Sequence, residues 1–198
     1  MPSHASPDLR ARIKQEMREQ IRLKAIELML ESGFAETSVD DIVNAAGVSR
    51  RSFYRYFGTR EDLVLGRTDE QIATLVDALT ARPADEDPWL ALQRAAESLP
   101  DAAQPTERAL AFTRLVNGDP VLRARHLEQR AAWRAALAPV IERRLRRPGA
   151  EPDQLAATAL VAAALSCLDV AVEEWVRRGG STPLPDLYER AVAAVRGR

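Results

Sequence analysis

The stretch Thr37–Leu63, TSVDDIVNAAGVSRRSFYRYFGTREDL, decides the fold. Ser38 stands just before an apolar-periodic run and Asp41 follows three residues later, the pairing of an N-cap with a capping-box partner. Val39, Ile42, Val43 and Ala46 recur at helical spacing, so this segment forms a short helix with one buried face. It ends in Ala46-Gly47-Val48-Ser49: a glycine to turn the chain, an apolar anchor, and a serine to cap the next helix. Two short helices joined by a glycine-containing turn of three or four residues form a helix-turn-helix.

The second of these helices has two unlike faces. At about 100° per residue, Phe53 and Phe57 fall on one side, and both belong against neighbouring helices. Arg51 and Arg55 lie about 160° from Phe53, flanked by Ser52 and Tyr54 at about 100°. Arg50, in the first turn, has room to reach outwards. From Val48 to Arg60 the sequence carries four arginines and no acidic residue, although the whole chain has a formal net charge of -1. A charged helix face can be plain solvated surface. Here it coincides with a turn glycine, two capping serines and paired buried phenylalanines, and that combination favours a nucleic-acid face. An arginine fork fits guanine edges or phosphate, and tyrosine hydroxyls suit phosphate oxygens.

Outward from this element, alanine, leucine, arginine and glutamate dominate and β-branched alternation is scarce, so the fold class is all-α. The pattern predicts a first helix over about 9–32, with Ile21, Ala25 and Leu28 on one stripe and Gly33 as its cap. One continuous helix is predicted over about 60–80, then helices at about 88–99, 105–117, 120–147, 152–178 and 184–196. Asp87 with Pro88 and Asp119 with Pro120 are cap-then-proline starts. Pro139 inside the long helix predicts a kink. The 198 residues divide into an N-terminal three-helix bundle over 1–67 and a larger helical domain over 68–198.

Composition narrows the function classes. Cys167 is the single cysteine, which excludes an intrachain disulfide and a cysteine-rich metal site, and only two histidines are present, His4 and His126. No phosphate-cradling glycine loop, nucleophile elbow or paired-histidine zinc helix occurs, so no enzymatic activity, metal or cofactor is expected. The N-terminus lacks the apolar core of a secretory signal, and no run was expected to reach the roughly 18 apolar residues of a membrane span. The expected compartment is the cytoplasm, at the nucleoid, with no membrane partner.

The residues Gly33-Phe34, Thr37-Ser38, Ile42, Ala45 to Ser49, Phe53 to Phe57 and Arg60 to Leu63 resemble the DNA-binding domain of TetR-family transcriptional regulators. The resemblance is close over about residues 20–65. It implies that Arg50, Arg51, Ser52 and Arg55 read bases, and that Thr37, Ser38, Tyr54, Tyr56 and Arg60 contact phosphates. It further implies a homodimer through the two C-terminal helices, whose Leu155, Ala159, Ala162, Ala163, Ser166 and Val170, with Leu187, Ala191 and Val195, permit close approach. The partner is then double-stranded DNA with a near-palindromic operator, and the activity is repression relieved by a small-molecule effector.

The region between holds Trp89, Phe112, Leu115, Val116, Asn117, Trp133, Leu137 and Val140, aromatic and aliphatic stripes that are either plain core or, as the resemblance implies, the lining of a site for a largely apolar effector. Arg114, Asn117, His126 and Asp169 are the polar residues available to orient it. The pattern from Asp119-Pro120 to Trp133 also resembles regulators responsive to acyl-CoA-like molecules. Arg143, Arg144, Arg146 and Arg147 read as a solvated helix terminus. The basic residues Arg10, Arg12, Lys14 and Arg18 are either further phosphate contacts or solvated surface. The competing readings are an effector-independent or architectural DNA binder and, at a distance, a helical enzyme.

Overall fold

The computed structural model describes residues 7–99, 107–146, 151 and 153–197. Among them stand ten helices and no strand: α1 (Pro7–Ser32), α2 (Val39–Ala46), α3 (Arg50–Tyr56), α4 (Arg60–Leu65), α5 (Thr68–Thr80), α6 (Pro88–Ala96), α7 (Glu107–Gly118), α8 (Pro120–Leu145), α9 (Gln154–Arg177) and α10 (Leu184–Arg196). The all-α expectation holds. The described residues form two compact units divided between Arg67 and Thr68.

The first unit comprises α1 to α4. Ile21, Ala25, Ile26 and Met29 of α1 are buried with Ile42 and Val43 of α2, Phe53 in the middle of α3, Phe57 just past its end, and Leu63, Val64 and Leu65 of α4. The caps follow from the local sequence. Ser38 and Asp41 form the reciprocal capping box, and the Ser49 hydroxyl accepts from the Ser52 backbone N–H. Gly47 lies at φ 65°, the left-handed region a residue with a Cβ rarely adopts, and this turns α2 into α3.

The second unit comprises α5 to α10. Leu75 and Leu79 of α5, Ala91, Leu92 and Ala95 of α6, Trp133, Leu137, Val140 and Ile141 of α8, and Ala157, Val161 and Ala164 of α9 make one core cluster. Cys167, Ala171 and Trp175 of α9 with Leu187 and Tyr188 of α10 make another, and the half-buried Trp89 packs on both. Asp87 and Asp119 cap α6 and α8 as their proline signatures predict. The α8 helix passes through Pro139 as one element.

Two expectations are corrected. The helix expected over 60–80 is two helices, α4 and α5, separated at Gly66, whose φ is 79°. A left-handed residue cannot continue a right-handed helix, and Asp69 and Glu70 then supply the acidic first turn that suits a new N-terminus. The second concerns α9, which by length and composition alone is apolar enough to cross a membrane. Thr158, Ser166 and Asp169 interrupt the strict apolar run, but alanine, leucine and valine carry the average. Residues of α9 also line both core clusters of the second unit.

The starts expected at 105 and 152, the His4 side chain and Arg147 lie outside the described residues, as does the side chain of Arg10.

Candidate nucleic-acid interface

The face of α3 is built from the inside out. Phe53 is fully buried and anchors the helix, with Tyr54 edge-on to it at 5.3 Å between ring centroids and Phe57 at 5.5 Å. That anchoring forces the opposite side outwards. Arg51, Tyr54 and Arg55 are exposed, while Ser52 and Tyr56 are partly so. Arg51 has no partner among the described residues. Arg55 donates from Nη2 to the Tyr56 hydroxyl at 3.3 Å, and its guanidinium sits 5.0 Å from the Tyr56 ring centroid.

Arg50 is differently placed. Its Nε and Nη2 donate to the two carboxylate oxygens of Asp40 in the first turn of α2, a bidentate ion pair on the surface. The pairing holds the Asp40 carboxyl below its ordinary pKa, first through the hydrogen bonds from Arg50, and raises that of Arg50. Asp40 is a member of this interface that sequence reasoning did not single out. The signal was available: it is the acidic residue exposed beside the arginine cluster, ten positions before Arg50.

Three of the expected phosphate ligands also make contacts within the domain. Thr37 is buried at 2% exposure and its Oγ1 donates to the Gly33 carbonyl at 2.8 Å. The Arg60 guanidinium lies 4.6 Å from the Phe34 ring centroid and donates from Nη1 to the Phe34 carbonyl at 3.0 Å and to the Thr37 carbonyl. It thereby clips the α1–α2 connection. Ser38 donates its hydroxyl to Asp41 at 2.5 Å while remaining exposed. Of the basic residues on α1, Arg12 and Lys14 are exposed, whereas Arg18 is half-buried with its guanidinium 5.6 Å from the Phe57 ring centroid.

In the second unit the seven expected effector residues fall on α6, α7 and α8. Trp133, Leu137 and the half-buried Trp89 meet in the larger core cluster. Phe112, Leu115 and Val116 run along α7 with only Val116 fully buried, and Asn117 is exposed at its end, as is Arg114. His126 and Asp169 do come together, around Arg130. Of the arginine run, Arg144 is not simply solvated. Its guanidinium donates to the carbonyls of Leu79 at 3.3 Å, Arg82 at 3.2 Å and Pro83, closing the C-terminus of α5.

Residues 21–66 match the family described as bacterial regulatory proteins, tetR family, and residues 86–198 match the family described as the MftR C-terminal domain. This chain belongs to the TetR family of bacterial regulatory proteins. The HTH-type transcriptional regulator TcmR of Streptomyces glaucescens is 30% identical over 145 residues, 70% of this chain and 64% of its own. The chain thus spans just under two thirds of TcmR. The transcriptional regulator MftR of Mycobacterium tuberculosis is 31% identical over 159 residues, 77% of this chain and 76% of its own. Among solved structures, the transcriptional regulator FadR of Bacillus subtilis, in complex with stearoyl-CoA, covers 87% of this chain and 94% of its own with a TM-score of 0.56. At 18% identity that likeness is one of fold. The helix-turn-helix read from Thr37 to Leu63 falls inside the matched residues of the TetR family.

Proposed function

We propose that this TetR-family regulator is a homodimeric repressor that reads a near-palindromic operator through α3 and releases it when a small-molecule effector binds among α5 to α10. The observation that carries the reading is the outward triad Arg51, Tyr54 and Arg55, forced into solvent by the burial of Phe53 on the opposite side. Arg51 and Arg55 are the base readers, with Ser52 at their flank and Arg50 as a reader held by Asp40. Tyr54, Tyr56 and Ser38 take the phosphates, whereas Thr37 and Arg60 support the reading head from within.

The dimer reading rests on α9. Only 28% of its apolar stretch is buried within the chain, and Leu155, Val170 and, on α10, Val195 are 82%, 57% and 59% exposed. A second copy of the same two helices would cover them. Cytoplasmic action at the nucleoid follows from operator binding. TcmR, MftR and FadR are named transcriptional regulators, which supports the same reading.

Selection of bound duplexes from a random DNA pool at physiological salt tests it. The expected product is a near-palindrome whose half-sites are roughly 34–36 Å apart. Retention of DNA without sequence preference would replace this reading with the architectural one, and a monomer bound to an asymmetric site would end it.

A further inference from the structure

The second unit contains a polar cluster that helix packing does not require. Arg130 of α8 is largely buried, with 13% of its side chain exposed. Its Nη2 donates to Asp169 Oδ1 of α9 at 2.8 Å, and its Nε donates to His126 Nε2 at 3.3 Å. His126 Nε2 is 3.6 Å from Asp169 Oδ1, too long for a hydrogen bond.

The remaining guanidinium nitrogen, Nη1, is buried without a partner. One turn along α8, Trp133 Nε1 is also buried without a partner, and the Arg130 guanidinium carbon is 4.6 Å from the Trp133 ring centroid. Two unsatisfied donors thus belong to two side chains in contact. Guanidinium and indole nitrogens donate and never accept. An unmet buried donor is costly, and more so on a charged group. Burial pushes the Arg130 pKa down from its ordinary value, and Asp169, by charge and hydrogen bond, only opposes that trend. The surrounding cluster of Leu137, Trp89 and their neighbours is otherwise apolar.

We propose that Arg130 and Trp133 form the anchor for an apolar monocarboxylate, whose carboxylate accepts from Arg130 Nη1 and Trp133 Nε1 while its hydrocarbon body packs among α5, α6 and α8. The proposal rests on the reading of this unit as an effector-binding domain and names the chemical class of the effector. Neighbouring residues suggest the route outward. Gln129, 4% exposed and adjacent to Arg130, donates from Nε2 to Gln71 Oε1 at 2.7 Å and to Thr68 Oγ1 at 3.4 Å. The helix that carries the anchor therefore also grips the first turns of α5, directly after Gly66.

The test uses the full chain with decanoate, benzoate and 1-naphthoate, each beside its primary alcohol, and with decanoyl-CoA and inorganic phosphate. Thermal shift and titration calorimetry read binding, and operator release is read separately. A carboxylate should bind where its alcohol does not. Trp133→Phe, which keeps an aromatic ring but removes the donor, should weaken it about tenfold. Arg130→Met combined with Asp169→Leu, which leaves no orphaned carboxylate, should abolish it, and Arg130→Lys should restore part of it. Acid and alcohol binding alike, indifference of these variants, binding of decanoyl-CoA or phosphate alone, or binding of no carboxylate would each overturn the proposal. Carboxylate binding through Arg130 without operator release would leave the anchor standing and remove the effector-released repressor. Release by a neutral ligand that ignores Arg130 would do the reverse.

Discussion

The two units use arginine in opposite ways. On α3, Arg51 and Arg55 stand in solvent on the back of a helix fixed by Phe53. On α8, Arg130 is drawn into the protein beside Trp133 and Asp169. An exposed fork keeps its hydration until DNA replaces the water, so it gives selectivity without destabilising the free protein. The buried fork keeps one nitrogen, Nη1, unmet in the free protein, so it would favour a ligand that supplies the missing acceptor. The lesson is that a charge placed outside is open to a large partner surface, whereas a charge placed inside is open only to what can enter the protein.

The strongest challenge to this contrast removes the anchor under the reading head. Phe53→Ala should cost about 3–5 kcal/mol and unfold the first unit, because an aromatic deletion leaves a cavity that α3 cannot fill. Denaturant unfolding followed by circular dichroism checks it. A fully folded, DNA-binding variant would mean that α3 is held by something other than its buried face.

Arg51→Ala should leave the fold intact and cost about 1–3 kcal/mol of discrimination at one base position. Comparing affinities for operators altered one base pair at a time reads this directly. Tyr54→Phe should have a smaller effect, about 0.5–1.5 kcal/mol, spread evenly over all sequences. Equal behaviour of the two variants would erase the division between base and phosphate contacts on α3.

Asp40→Ala sharpens the comparison from the other side. Freed of its carboxylate, Arg50 becomes as unpaired as Arg51 on the same short helix. Affinity for non-specific DNA should rise, and the salt dependence should steepen by about one counterion. An unchanged salt slope would show that the pair opens on DNA at no cost.

The smallest effect concerns a surface cluster at the C-terminal end of α9. Hydrogen bonds from Arg177 and Arg178 lower the Glu174 pKa from 4.5 to about 2. A depressed carboxylate stabilises the fold above its unfolded pKa and loses that contribution as pH falls towards the folded value. Glu174→Gln should therefore flatten the acid loss of stability between pH 4.5 and about 2, as seen in thermal melts across that range. Solvent screening keeps the change slight.

Much of the first unit was legible in the sequence because its signals are local. Ser38, Asp41, Gly47 and Ser49 each act within a few residues, and the Phe53–Phe57 spacing sets the buried side by periodicity alone. Interactions across the chain were not legible. The bonds from Arg60 to the Phe34 and Thr37 carbonyls were hidden because nothing nearby in sequence shows that those residues return to meet it. Arg144 looked solvated because the carbonyls it closes are more than sixty residues earlier. His126 and Asp169 were candidates by type, but Arg130, which joins them, was one arginine among many. The break at Gly66 was a different kind of miss. Helical propensity on either side carried the pattern across a single residue whose backbone forbids it.

That glycine has a consequence for how such regulators can be rebuilt. With α4 ended by Gly66 at φ 79° and α5 started afresh at Thr68, no helix crosses from one unit to the other. Recombination at this point would exchange a complete helix-turn-helix unit, its caps and core included, without cutting a helix. On the function proposed above, a chimera joined at Gly66–Arg67 would answer the same chemical cue at a different promoter, which makes the short joint a place where lineages of regulators can trade addresses while keeping their senses.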